Sequence, residues 1–200
     1  SSFATRRVNM DALVFCDFTD VDSYLGAVRF ERAVALHSIL TGEGIEVQYR
    51  AFTPASSTPA DEAVKAAKVT GIDLNINEIV PAVTDDAWRL ATWALAQGAG
   101  VQRDFVHQLW RAHFLEGADL GDPLVLTGRA ALAGLDLNLA EEVLAEVEFV
   151  GEVIQQRETA QSLGATVGPF IVVSGVHTIV GLQSQDQYVA ALRSIRDTAS

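Results

Sequence analysis

The chain is poor in cysteine: Cys16 is the single one in 200 residues. An internal disulfide is therefore excluded, and so is a metal cage built from cysteine alone. Dithiol redox chemistry is excluded as well, because one thiolate must attack a disulfide and a second thiol must resolve the mixed product. No run approaches the ~20 apolar residues that a membrane-crossing helix needs. Basic residues are few: Lys and Arg number 14 against 26 Asp and Glu, a net charge of −12. Such a charge repels phosphate backbones and anionic lipid surfaces, so neither nucleic acid nor membrane is expected as a partner. It reads instead as a solvated acidic surface. Ser1–Met10 is polar, carries Arg6 and Arg7, and has no apolar signal-peptide core, which makes the cytoplasm the expected location. No phosphate loop and no metalloprotease or hydrolase signature is found.

What is present is a globular composition, 49% hydrophobic and 20% charged, with length for one core plus a small helical lobe. Ala12–Phe18 is a short apolar run that reads as a buried strand. After Thr19-Asp20-Val21-Asp22-Ser23 the period changes, with Leu25, Val28, Arg32, Leu36 and Ile39 at helical spacing. The Asp and Ser oxygens suit the free amides of the first turn, and Gly42 and Gly44 suit the end of the helix. Ile45–Phe52 alternates as a second strand, with Ile45, Val47, Tyr49 and Ala51 on one face. Thr53–Pro59 is a loop, and residues 60–148 read as helix throughout. Within them Thr84-Asp85-Asp86 is expected to cap one helix, and Asn138 with Glu141 to form a capping box for another. A helix over 150–163, a hairpin of Pro169–Val173 with His177–Val180, and a last helix from about Ser184 complete the chain.

This order predicts an α/β protein with a thioredoxin-like fold carrying an inserted all-helical domain. The expected boundaries are 1–55 and 149–200 for the thioredoxin-like part and 56–148 for the insert. Local phrases sharpen the resemblance. Asp17–Gly26 resembles the start of DsbA-family proteins, in particular the FrnE-like dithiol-disulfide isomerases. Tyr49–Pro54, Asp86–Leu90, Phe114–Asp122, Gly164–Phe170 and Gly181–Gln183 are similar to later phrases of the same family, the fifth of them to its cis-proline segment. The family's activity is thiol-disulfide oxidoreduction, and its Cys-x-x-Cys motif falls here on Asp20-Val21-Asp22-Ser23. The resemblance extends to kappa-class glutathione transferases and 2-hydroxychromene-2-carboxylate isomerases, where a serine takes the first cysteine position.

Three functional readings follow. In the first, the chain is an oxidoreductase-like protein without dithiol activity. It keeps a groove for an extended peptide or a small molecule, with Asp20 and Ser23 at the former catalytic positions and Asp22, Gly168 and Pro169 against the ligand. The resemblance implies a cis Gly168–Pro169 bond and strand-like pairing of substrate with the backbone before it. No cofactor is needed. In the second, a small thiol such as glutathione binds and Ser23 or Asp20 serves a transferase or isomerase. In the third, Cys16 acts as a monothiol, although its place in the first strand favours packing. Asp20 also has a purely structural use, since a carboxylate gains roughly 0.3–1 kcal/mol at a helix N-terminus. A cation site from Asp17, Asp20 and Asp22 lacks calcium-loop spacing. His37, His107, His113 and His177 have no ligand-spaced partners and are not expected to be functional groups, although His113, beside Trp110 and Phe114, could face the groove. Trp88, Trp93 and Trp110 read as helical core. A homodimer is left open.

Overall fold

The computed structural model describes residues 8–199; Ser1–Arg7, including the arginine pair, and Ser200 lie outside the described residues. In chain order the elements are β1 (Val8–Cys16), α1 (Val21–Thr41), β2 (Gly44–Ala51), α2 (Ala60–Thr70), α3 (Asp85–Gln97) and α4 (Ala99–Phe114). They continue with α5 (Pro123–Leu132), α6 (Leu137–Ala145), α7 (Val150–Ser162), β3 (Phe170–Val173), β4 (His177–Val180) and α8 (Gln185–Ala199). The strands form one sheet in the order β2-β1-β3-β4, with β1 parallel to β2 and antiparallel to β3, and β3 antiparallel to β4. This is the thioredoxin-like arrangement, with five helices, α2–α6, between β2 and α7.

Strand periodicity divides the core. Ala12, Val14 and Cys16 of β1, with Ile171 and Val173 of β3, face the main core. The alternate residues Phe15, Phe170 and Val172 face a smaller cluster closed by Phe52 of the β2 exit and Ala160 of α7. β3 is thus buried on both faces, which is why Phe-Ile-Val-Val reads as a continuous apolar run. The main-core face is covered by α1, packed against α8. On α8 the residues turned inward are Tyr188, Leu192 and Ile195, as their helical spacing predicts.

β2 is an edge strand, and its outward backbone groups need partners. Two glutamines from helices supply them. Gln102 of α4 accepts from the Tyr49 N–H at 2.8 Å and donates to the Tyr49 carbonyl at 3.0 Å. Gln156 of α7 accepts from the Ala51 N–H at 2.9 Å. The helical lobe is therefore hydrogen-bonded to the sheet edge as well as packed on it.

Helix ends follow the expected chemistry with two exceptions. α1 ends on Gly42 at φ 75°, whose amide bonds to the Ser38 carbonyl at 2.9 Å. The cap of α6 is Asp136, whose carboxylate accepts the Leu139 N–H at 3.0 Å. Asn138 lies inside the first turn and forms no capping box, because Asp136 reaches the amide first. Thr84 stands before α3 but does not cap it; its hydroxyl is drawn to Asp17 instead. Arg89 is buried in α3 and donates to the carbonyls of Val143, Glu146 and Glu148, which closes the C-terminal end of α6. No described helix is long and apolar enough to cross a membrane.

Candidate functional site

The N-terminus of α1 sits where β1 ends, and the segment leading into β3 crosses beside it. Asp20 is the N-cap, and its Oδ2 accepts the Ser23 N–H at 3.0 Å. The Ser23 hydroxyl donates to the same oxygen at 2.6 Å and accepts the Asp17 N–H at 3.2 Å. On the other side Ser57 Oγ donates to Asp20 Oδ1 at 2.6 Å. Asp20 is 5% exposed and Ser23 is fully buried. Burial pushes the Asp20 carboxyl above its ordinary range, while the bonds from Ser23 and Ser57 pull it back down and the neighbouring Asp22 adds to the rise.

Gly168 and Pro169 complete the arrangement, with the peptide bond between them cis. A Cβ on Gly168 would lie 2.3 Å from Ser23 Oγ and 2.5 Å from Asp20 Oδ2, so only glycine fits against the pair. Pro169 rests on Gly26 of α1, where an added Cβ would meet its ring carbons at 2.5 Å. The proline carbonyl accepts from the Gly181 N–H at 2.8 Å, and the Gly181 carbonyl accepts from the Tyr188 hydroxyl at 2.6 Å. Arg29 then ties α1 to the same closing loop, donating to the Gln183 carbonyl at 3.1 Å. Upstream, the Thr166 carbonyl is held by the Ala55 N–H at 2.8 Å. Among the described residues, the backbone N–H and C=O groups of Val167 and Gly168 have no hydrogen-bond partner.

The structure therefore brings Asp20, Ser23 and Gly168 into contact and sets Pro169 on the adjacent turn. Asp22 points elsewhere: its Oδ2 accepts the Thr58 N–H at 2.9 Å, and its Oδ1 is buried without a partner. Ser57 and Thr58 were legible only as members of a loop, yet they fasten residues 53–59 over the start of α1. Five cavities of about 300–520 Å³ lie away from these residues; one of them is lined by Phe52, Thr53, Ile154 and Ala165.

Asp17 is the residue whose weight the sequence concealed. Its Oδ1 accepts from the Phe18 N–H at 2.8 Å, Thr84 Oγ1 at 2.8 Å and Trp88 Nε1 at 3.2 Å. Its backbone carbonyl accepts from Trp110 Nε1 at 3.1 Å. Phe18 stacks on Trp88 with ring centroids 4.2 Å apart. The end of β1 is in this way bolted to α3 and α4. Trp88 and Trp110 are buried, as expected of core, but each also spends its single N–H on Asp17.

The remaining candidates are placed as follows. His113 is 2% exposed and edge-on to Phe114, and burial lowers its pKa. His107 meets Glu31 at 2.7 Å, His37 is buried 4.0 Å from Glu43, and His177 lies on β4. Among the described residues no group of three or more His, Cys, Asp or Glu could hold a metal ion. Cys16 has no exposure, and burial, with the charges of Asp17, Asp20 and Glu31, pushes its thiol well above the ordinary value. A thiol reagent such as dithionitrobenzoate is expected to leave the native protein unlabelled over minutes and to label one thiol after denaturation. Fast labelling of the folded protein would contradict this burial.

A helix N-terminus beside a cis-proline segment, at the end of a mixed four-stranded sheet, defines a thioredoxin-fold protein. The chain belongs to the DSBA-like thioredoxin-domain family, whose model matches residues 13–193. A search among curated proteins gives no match. Among solved structures it is similar to one described as a probable DsbA oxidoreductase from Streptomyces coelicolor, at 24% identity and TM-score 0.81, covering 94% of this chain and 91% of that one. The cytosolic disulfide reductase DsbM from Pseudomonas aeruginosa, solved with GSH, is similar at 16% identity and TM-score 0.69, over 94% and 99% of the two chains. A 2-hydroxychromene-2-carboxylate isomerase is similar at 14% identity and TM-score 0.65, over 94% and 96%. The single cysteine, placed inside β1, fits a family motif from which both sulfurs have been lost.

Proposed function

We propose that this chain is a member of its family without dithiol activity that binds an extended peptide along the backbone of residues 166–168. The observation that carries the reading is the unpaired backbone of Val167 and Gly168 beside an Asp20–Ser23 pair that occupies the redox positions. A strand laid against Val167 needs only main-chain hydrogen bonds, so it needs no sulfur. Asp20 and Asp22 make the surroundings acidic and favour a neutral or basic peptide over an acidic one. They also weigh against an incoming thiolate, and the one hydroxyl at the former cysteine positions, that of Ser23, already donates to Asp20. A reducing compartment such as the cytoplasm suits a protein that uses no disulfide.

A thermal-shift screen with neutral and basic hexapeptides, acidic hexapeptides and glutathione tests the proposal. A peptide at 100 times its dissociation constant adds about 2.7 kcal/mol, roughly 5–10 °C for a chain of this size. Val167→Pro, which removes the amide donor, is expected to abolish the shift while the circular dichroism spectrum is kept. A shift with glutathione alone, or a peptide shift that survives Val167→Pro, sinks the reading.

The raised pKa of Asp20 gives a separate expectation. The folded protein holds this proton more tightly than the unfolded chain, whose Asp titrates near pH 4. The stability that the group contributes is therefore full below about pH 4 and is lost as pH rises through the folded value. Asp20→Asn keeps an acceptor for Ser23 and removes the charge. It is expected to melt higher than the parent at pH 7, with a difference that shrinks toward pH 4. A difference independent of pH would show that the buried charge costs nothing.

A further inference from the structure

The geometry points to a binding site for a small monocarboxylate with an apolar tail, in the cavity where β1 and β2 meet α3 and α7, with Arg50 holding the carboxylate. In β2 the residues Ile45, Tyr49 and Ala51 lie in the main core, so strand alternation sends Gln48 and Arg50 to the opposite face. There Arg50 is half-buried, and burial pulls its pKa below the ordinary value. A charge taken out of water is ordinarily paired. Other arginines obey this rule: Arg89 pairs with Asp86, Arg157 with Asp85 and Arg196 with Glu43. Among the described residues no carboxylate lies within ion-pair distance of Arg50, in a chain with 26 acidic residues to choose from. Its guanidinium bonds to Gln48 Oε1 at 2.7 Å and to the Tyr49 carbonyl at 3.2 Å. Gln48 in turn donates to Glu46, an exposed carboxylate further along the strand that Arg50 does not reach. Most of the guanidinium's N–H donors are left over, enough for a carboxylate to take two of them.

The cavity that Arg50 borders supplies the second observation. Its volume is about 300 Å³, the size of a small-ligand site. Leu13 and Phe15 of β1 and Leu95 of α3 give it apolar walls. Gln156 of α7 fixes its shape, since its amide donates to Thr92 of α3 at 3.1 Å while its carbonyl accepts the Ala51 N–H at 2.9 Å. The site is thus formed before a ligand arrives. Glu152, in the first turn of α7, is exposed at the same cavity. Its charge opposes any second negative charge on the ligand, which favours a monocarboxylate over a dicarboxylate or a phosphate. A cation for one end and apolar walls for the rest define the ligand class. None of these residues belongs to the peptide site at Val167, so the two readings stand or fall separately.

Titration of the isotope-labelled protein with octanoate, followed by NMR, is expected to saturate, with the largest amide shifts at Arg50, Thr92, Leu95 and Gln156. Arg50→Ala is expected to weaken binding about 30-fold, the effect of losing a charge-assisted hydrogen-bonded pair. Arg50→Lys keeps the charge without the planar fork and is expected to weaken it about tenfold. Glu152→Gln removes a like charge and is expected to tighten binding about threefold. Octanol lacks the charge and inorganic phosphate lacks the tail, and each is expected to bind at least about tenfold more weakly than octanoate. The two milder variants, Arg50→Lys and Glu152→Gln, keep the test intact where Arg50→Ala fails to fold. A titration that never saturates, or one whose shifts cluster away from Arg50 and Leu95, overturns the proposal. So does octanoate binding that Arg50→Ala leaves unchanged, or octanol or phosphate binding as tightly as octanoate.

Discussion

Asp17→Ala is expected to destabilise the protein by about 3–5 kcal/mol, the loss that follows when buried donors are left without an acceptor. For about 200 residues this is a fall in melting temperature of roughly 8–16 °C. The carboxylate is 9% exposed and takes three donors on one oxygen, from the Phe18 amide, Thr84 and Trp88. The threonine hydroxyl can rotate toward another acceptor, but the Phe18 N–H and the indole N–H cannot. Part of the loss is offset, because burial raises the Asp17 pKa and so works against its own charge. Asp17→Asn keeps the acceptor without the charge and is expected to cost about 1 kcal/mol. The contrast between the two variants in urea melts is the test. Equal losses would mean that the side chain acts by filling space and not by accepting these bonds.

The expectations that came from periodicity held because burial imposes them locally. Alternation in Ile45–Ala51 and helical spacing in Tyr188, Leu192 and Ile195 follow directly from which face meets the core. Asp20 at the start of α1 and Gly42 at its end follow from capping chemistry within four residues. The phrase order also led to the cis bond at Pro169 and to its place beside Asp20 and Ser23.

What escaped the sequence was long in range. Gln102 on the β2 edge, Arg89 on the end of α6 and Thr84 on Asp17 are each polar residues whose partner lies 50 to 70 positions away. Nothing in their own neighbourhoods distinguishes them from surface residues. Asn138 failed as a cap for a different reason, since Asp136 offered the same chemistry two residues earlier. Ser57 and Thr58 belong to a loop whose path across α1 no periodicity encodes.

Restoring both sulfurs, as Asp20→Cys with Ser23→Cys, is expected to give a protein that reduces insulin in the presence of dithiothreitol where the parent does not. The geometry for it is already present. The side chains at 20 and 23 touch at 2.6 Å, so two sulfurs there come within bonding reach. Position 20 caps α1, where the helix amides favour a thiolate, and position 23 is fully buried, as suits the thiol that resolves the mixed disulfide. Asp20→Cys alone is expected to stall at the mixed disulfide, and Ser23→Cys alone, whose thiol is buried, to leave insulin unattacked. Asp22 works against the restored thiolate by placing a second negative charge at the same helix end. Adding Asp22→Asn is therefore expected to raise the rate, up to about tenfold for each pKa unit by which the thiol falls. Adding Gly168→Ala is expected to abolish activity, because its Cβ would fall 2.3 Å from the side-chain atom at position 23. Insulin turbidity, with a thiol count before and after oxidation, reads all of these variants. A double-cysteine protein that forms its disulfide yet leaves insulin intact would mean that the backbone beside Pro169 no longer accepts a substrate strand. The loss of sulfur would then have been accompanied by loss of the groove, and the peptide-binding proposal would fall with it.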